Sequence, residues 1–275
     1  IFGRDEVAFR GWGANDSSAL LDSKTDTLLN CSENGLVYRV KLNTKFDKAT
    51  GNLSIAPQLT KYRYRSPYND EQGIENSPAI YKNYMYFCDN GGTLQCLDLN
   101  TLKPVWIYDT KDDTDATIVI EETNEGVFLY TANQVDKRGA DGKAATADCN
   151  IRKLDALTGE LIWQKDYKCQ YQYYINGGAL GTPVIGKDDI SNMVIYNICF
   201  TGSNTDGTMV ALDKKTGEEI WKKKLNSYSW CSPLDFRSSD GKTYMVYTDF
   251  SGYMHLVDPM NGKTLHSVSL EGNVE

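Results

Sequence analysis

Short runs of apolar and β-branched residues, separated by turns that contain glycine, recur along the whole chain. Residues 207–212 have strand character, and residues 219–223 alternate polar and apolar side chains as a half-buried strand does. Between them, Asp213 is placed to accept backbone N–H groups, and Gly217 provides the positive φ that the turn requires. The pattern predicts a β-hairpin, and no long helical periodicity accompanies it.

The same hairpin occurs four times. In each copy an Asp stands eight positions before an aromatic residue: Asp98 with Trp106, Asp155 with Trp163, Asp213 with Trp221, and Asp258 with His266. Gly159, Gly217 and Gly262 occupy the turn position in three of the copies. We interpret the Asp and Gly residues as turn formers, and each Trp as an apolar surface that packs on the neighbouring unit.

Two further strands precede each hairpin, so the unit is predicted to be a four-stranded antiparallel meander. A weaker first copy has Lys41 in place of the Asp. Radial stacking of such units buries both faces of each one, which predicts an all-β fold, a β-propeller in a single domain over residues 1–275. The five visible repeat units lie near residues 17–58, 77–109, 117–166, 180–225 and 231–270.

The blade number stays open at this point. Residues 272–275 echo residues 73–76, which lead into a first strand, and residues 7–12 resemble a strand without a hairpin partner. Either five blades close on themselves, or the chain is part of a seven- or eight-bladed propeller.

The pattern around Ala211, Asp213, Gly217 and Trp221 resembles the tryptophan-docking motif of the pyrroloquinoline-quinone (PQQ)-like β-propeller repeat family. The resemblance covers nearly the whole chain and implies the fold. The family includes quinoprotein dehydrogenases, whose site is built from an adjacent Cys-Cys pair and from Glu, Asn and Asp around a calcium ion. It also includes cofactor-free bacterial envelope proteins. None of the seven cysteines here is adjacent to another, so the chain resembles the cofactor-free members more.

Charge, apolar runs and missing motifs disfavour several classes of function. The 275 residues carry a formal net charge of −8, which disfavours a nucleic-acid partner. No apolar run is long enough to span a membrane, so we expect no membrane-spanning segment. There is no Gly-x-Ser-x-Gly and no Cys-x-x-Cys, and the two histidines, His255 and His266, are interpreted as structural. We therefore expect no catalytic residues and no metal site.

The segments that link the units are rich in tyrosine, and they are predicted to lie on the face away from the Asp turns. Tyrosine combines apolar area with a hydroxyl group at a low entropy cost, which suits recognition surfaces. The candidate ligand-binding residues are Tyr62, Tyr64, Tyr68, Tyr171, Tyr173, Tyr174, Tyr228 and Trp230. The alternative is that these rings only plug the channel and seal adjacent blades.

The leading hypothesis is a non-enzymatic binding or scaffold module. It would recognise a protein, peptide or glycan on the aromatic linker face, without a cofactor, in an extracellular or bacterial cell-envelope location. The alternative is a PQQ- and calcium-dependent quinoprotein oxidoreductase.

Overall fold

The computed structural model describes residues 14–70, 72–136, 145–171 and 175–272. These residues are mainly β-strand, and they include one short 3₁₀ helix, Asp188–Ile190, and no α-helix. Five sheets each contain a four-stranded antiparallel meander, called a blade below. The chain divides into two compact units between Asp109 and Thr110. A single domain over residues 1–275 therefore stays a prediction.

Blade 1 belongs to the first unit and is longer than the sequence pattern predicts. Its strands are β1 (Leu20–Asp22), β2 (Thr27–Ser32), β3 (Leu36–Lys41), β4 (Lys45–Asp47), β5 (Asn52–Ser54) and β6 (Gln58–Arg63). β3 pairs with β6, and the β4–β5 hairpin lies between them in the chain. The blade thus runs to Arg63 instead of ending near residue 58.

The tip of this hairpin carries the Asp-x-x-Thr-Gly turn of the repeat. Asp47 accepts the N–H of Ala49 at 2.9 Å, and Gly51 has a φ of 72°. Asp47 thus forms the turn of the extended hairpin, while Lys41 stands at the register position of the repeat Asp, because it pairs with Thr27 and Gln58 as Asp98 pairs with its two neighbouring strands. The interpretation that Lys41 replaces the Asp is confirmed, and the turn lies further along the chain because the hairpin extends beyond Lys41.

Blade 2 completes the first unit with β7 (Ala79–Tyr81), β8 (Tyr84–Cys88), β9 (Thr93–Asp98) and β10 (Lys103–Asp109). Side chains that alternate along the strands of blades 1 and 2 meet in one core, because successive residues of a strand point to opposite faces. That core contains Cys31, Val37, Tyr64, Ile74, Met85, Phe87 and Leu97.

The second unit begins with blade 3, whose strands are β11 (Val119–Thr123), β12 (Gly126–Ala132), β14 (Ala145–Asp155) and β15 (Leu161–Tyr171). Between β12 and β14 lies the short strand β13 (Gln134–Val135), which pairs with β16 (Gly177–Gly178) next to blade 4. The connection between β12 and β14 is therefore partly strand. β15 also runs five residues beyond the predicted end of this unit at 166.

Blades 4 and 5 complete the second unit. Blade 4 contains β17 (Val184–Ile185), β18 (Met193–Cys199), β19 (Gly207–Asp213) and β20 (Glu219–Leu225). Blade 5 contains β21 (Leu234–Arg237), β22 (Thr243–Thr248), β23 (Tyr253–Asp258) and β24 (Lys263–Ser269). One apolar core joins blades 3 and 4, and a second joins blades 4 and 5.

In the second unit, a Trp of one blade packs on the turn of the next. Trp163 donates its Nε1 hydrogen to the carbonyl oxygen of Lys214 at 3.0 Å, and its ring covers Gly217. Trp221 donates likewise to the carbonyl of Pro259 at 2.9 Å and covers Gly262. A Cβ on either glycine would lie within 2.8 Å of the ring, so glycine is needed for this approach as well as for its positive φ.

Candidate functional site

The repeated Asp residues are occupied by their own turns. One carboxylate oxygen of each accepts backbone N–H groups at 2.8–3.0 Å: Asp98 from Asn100 and Thr101, Asp155 from Leu157 and Thr158, Asp213 from Lys215 and Thr216, and Asp258 from Met260. The hydrogen bond from the Thr101 N–H lowers the pKa of Asp98 below its ordinary value. These carboxylates therefore act as acceptors inside the turns.

The tyrosines predicted as ligand contacts in the first unit differ in exposure. Tyr62 lies on β6, where it pairs with Val37, and it is half-buried. Tyr64 is fully buried and contacts Phe87 edge-on, with 5.2 Å between ring centroids. Tyr68 is 49% exposed. Of these three rings, Tyr68 is the most available to a ligand.

In the second unit, Tyr171 is buried at the end of β15 in the core between blades 3 and 4. Tyr173 and Tyr174 lie outside the described residues. Tyr228 is buried, and Trp230 is half-buried. The predicted contacts that come together here are thus Tyr228 and Trp230.

Tyr228 is the centre of a group of four aromatic rings, called the aromatic cluster below. Its ring centroid lies 4.6 Å from that of Phe250 in a stacked arrangement, 4.8 Å from Phe200 and 5.3 Å from Trp230. These residues follow the ends of β18, β20 and β22, and the Asp turn of blade 4 lies at the opposite end of β19 and β20. The aromatic cluster therefore forms at the end of the blades away from the Asp turns.

Backbone hydrogen bonds hold the loops of the aromatic cluster together. The N–H of Phe250 donates to the carbonyl of Tyr228 at 3.0 Å, and the N–H of Tyr228 donates to the carbonyl of Thr205 at 3.2 Å. Phe250 is 37% exposed and covers the buried ring of Tyr228. The arrangement offers a preorganised apolar surface, which suits stacking or burial of a ligand.

Sequence reasoning missed Phe200 and Phe250. Each lies just after the second strand of its blade: Phe200 follows β18 directly, and Phe250 stands two residues after the end of β22. That shared position was the available signal. It is less conspicuous than the aromatic composition of the linkers between units, which supply Tyr228 and Trp230.

A cavity of about 310 Å³ lies at the other end of blades 3 and 4, and the sequence offered no sign of it. Its lining residues are Glu121, Thr123, Asn124, Glu125, Phe128, Lys153, Ser191, Lys214 and Lys215. Lys214 forms an ion pair with Glu121, and Lys153 donates to the carbonyl of Lys214 at 2.9 Å. The Lys153 ammonium also lies 3.9 Å from the centroid of Phe128. Burial lowers the pKa of Lys153, while the nearby Glu121 opposes this shift.

The sequence is similar to two groups of known proteins, outer membrane protein assembly factors and quinoprotein dehydrogenases. The family model described as "Outer membrane protein assembly factor BamB" matches residues 147–273. A BamB from Kangiella koreensis is 35% identical over 213 residues, which cover 78% of this chain and 45% of the relative. A quinoprotein ethanol dehydrogenase from Pseudomonas aeruginosa is 27% identical over 158 residues, which cover 56% of this chain and 23% of the relative. The chain carries PQQ-like β-propeller repeats.

A solved structure supports the fold of these PQQ-like repeats. The quinohemoprotein alcohol dehydrogenase of Pseudomonas putida matches with a TM-score of 0.60 at 14% identity, over 92% of this chain and 42% of that chain. At this identity the match shows the fold alone, and the predicted all-β propeller of four-stranded blades is confirmed. This chain spans less than half the length of each of these three relatives.

Because PQQ-like repeats occur with and without a bound cofactor, only individual residues can indicate whether this chain binds PQQ or calcium. The adjacent Cys-Cys pair that the resemblance implies for PQQ is missing, and each of the seven cysteines is a free thiol. In the first unit, carboxylate oxygens of Asp16, Glu33 and Glu75 lie within 4.8 Å of one another. Carboxylate oxygens are the ligands that calcium prefers, so these three are the described residues best suited to hold such an ion.

Proposed function

We propose that this chain is a β-propeller binding and scaffold module of the bacterial cell envelope. Its ligand would be a protein, peptide or glycan that contacts the aromatic cluster. The observation that carries the proposal is the stack of Phe250 on Tyr228, in which one ring is exposed and the other buried. The similarity to relatives named outer membrane protein assembly factors supports a scaffold role in the envelope.

The aromatic cluster suits recognition for a physical reason. Packing of Tyr228 against Phe200 and Trp230 already restricts the rings, so a ligand that stacks on Phe250 orders few additional side chains. Aromatic residues of this kind dominate the energies of protein interfaces. No described helix is both long and apolar enough to cross a bilayer.

The test uses two probes. One is a synthetic peptide with the alternating apolar and polar residues of an outer-membrane β-strand, and the other is a soluble peptidoglycan disaccharide. Titration calorimetry measures each Kd for the unmodified chain and for Phe250→Ala. Loss of the exposed ring should raise the Kd of the bound probe about tenfold or more.

Phe236→Ala is the matched control. Phe236 also belongs to blade 5, is 42% exposed, and stacks on Tyr244 away from the aromatic cluster. Its removal should leave the Kd unchanged. Equal Kd values for Phe250→Ala and the unmodified chain would refute the role of the aromatic cluster.

The alternative is a PQQ- and calcium-dependent oxidoreductase, which the similarity to quinoprotein ethanol dehydrogenase favours. The missing Cys-Cys pair weighs against it, while Asp16, Glu33 and Glu75 offer a carboxylate set for calcium. The measurement is addition of PQQ and calcium, followed by quinone absorbance and dye-linked oxidation of ethanol. Oxidation above the level of the free cofactor would favour this alternative over the binding module.

A further inference from the structure

Asp249, His255 and Ser267 form a chain of hydrogen bonds on blade 5. Oδ2 of Asp249 lies 2.9 Å from Nε2 of His255, and Nδ1 of the same ring lies 2.8 Å from Oγ of Ser267. A neutral imidazole protonated on Nε2 donates to the carboxylate and accepts from the hydroxyl group at Nδ1. In this arrangement the imidazole can take the proton of the serine, as in an acid–base–nucleophile triad.

The sheet brings these residues together although they are apart in the chain. His255 on β23 lies opposite Ser267 on β24, so their side chains share one face of the hairpin. Asp249 lies in the turn between β22 and β23. Its Oδ1 accepts the N–H groups of Ser251 and Tyr253 at 3.0 and 3.2 Å, so these bonds fix the carboxylate while Oδ2 faces the imidazole.

Packing also fixes the orientation of the imidazole. The His255 ring stacks on Tyr247 with 4.7 Å between centroids, and Tyr253 lies 6.2 Å away in a similar orientation. The side chains of His255 and Asp249 are only 15% and 10% exposed, so water screens their interaction weakly. Ser267, in contrast, is exposed on β24 and within reach of a molecule in solution.

We propose that Ser267 is an activated nucleophile that accepts the acyl group of a carboxylic ester. Oγ of Ser267 bonds to the carbonyl carbon while Nδ1 of His255 takes the hydroxyl proton. The ester C–O bond then breaks, and His255 returns the proton to the departing alcohol. Water releases the acid from Ser267 by the same route, so no oxidant or reductant is needed.

The roles differ among the three residues. Ser267 and His255 touch the reacting atoms, and Asp249 is a positioning residue that keeps the imidazole proton on Nε2. Tyr253 is 43% exposed beside the ring and offers an apolar surface, which favours aryl esters. None of these residues belongs to the aromatic cluster, so the proposal stands apart from the binding function proposed above.

The experiment treats the whole chain with a fluorophosphonate, which serine nucleophiles attack with loss of fluoride, and maps the labelled peptide by mass spectrometry. 4-Nitrophenyl acetate gives the acylation rate through release of 4-nitrophenolate. We expect the label on Ser267 and its loss in Ser267→Ala. Ser269→Ala is the matched control, because Ser269 is exposed on the same strand and should not affect labelling.

Asp249→Asn separates positioning from folding. The Asn oxygen keeps the two N–H acceptor contacts of the turn, while its amide donates to Nε2 and moves the imidazole proton to Nδ1. Acylation should slow about 100-fold at an unchanged KM and unchanged circular dichroism. Equal labelling of Ser267 and Ser269, or an unchanged rate in Asp249→Asn, would overturn the proposal.

Discussion

The contact between Trp163 and Gly217 predicts a large loss of stability for Gly217→Ala. Gly217 has a φ of 74°, and adopting this conformation costs an alanine about 1–2 kcal/mol. The new Cβ would lie 2.7 Å from Cδ2 of Trp163, so the ring must move off the turn. Two further losses follow from that movement.

The first loss is the hydrogen bond from Nε1 of Trp163 to the Lys214 carbonyl, which contributes about 1 kcal/mol. The second is burial of the ring, because exposing ~50 Å² of apolar surface costs about 1 kcal/mol. Gly217→Ala should therefore lower the free energy of unfolding by about 3–4 kcal/mol. Urea titration followed by far-UV circular dichroism measures this change.

Gly241→Ala is the control for the backbone conformation alone. Gly241 lies in the same unit with a φ of 80°, and no atom lies within 4 Å of its added Cβ. Its substitution should cost only the conformational part, about 1–2 kcal/mol. If the two variants lose equal stability within about 0.5 kcal/mol, the ring contact does not stabilise the blade interface as argued.

Two further predictions concern carboxylates. Burial raises the pKa of Asp89 to about 6. The protonated carboxyl group therefore contributes stability below its ordinary pKa of 3.8, and this contribution is lost as the pH rises through 6. Asp89→Asn should therefore raise the free energy of unfolding above pH 6 by up to about 3 kcal/mol and leave it unchanged near pH 4, as measured by urea titration. An equal effect at both pH values would contradict this prediction. Asp213→Ala leaves the N–H groups of Lys215 and Thr216 without their acceptor and should cost about 1 kcal/mol, whereas Asp213→Asn keeps an acceptor and should cost less in the same assay.

The repeat could be predicted because its signals are local. The turn at Asp213 and Gly217 is complete within five residues, so its chemistry is visible in the sequence whatever surrounds it. The same turn at Asp47 and Gly51 was missed because its hairpin is longer than in the other blades. Local patterns thus identified the unit but not every boundary.

The candidate site could be predicted only in part. Tyr228 and Trp230 were identified from the composition of a linker, but Phe200 and Phe250 come from other loops of the second unit. Residues of the same type in one linker also differ in burial, since Tyr64 is fully buried and Tyr68 is half exposed. Neither result follows from residue type, because exposure depends on what packs against each ring.

The sequence by itself determined the strand-turn-strand repeat, the Asp and Gly residues of the turns and the PQQ-like propeller fold. Turn chemistry and two-residue alternation act over a few neighbouring residues, so no tertiary contact is needed to recognise them. Only the tertiary structure decided which rings meet around Tyr228 and that Asp249, His255 and Ser267 form one hydrogen-bonded chain. The register between β23 and β24 places residues 255 and 267 opposite each other, and a register is a property of paired strands rather than of either strand alone.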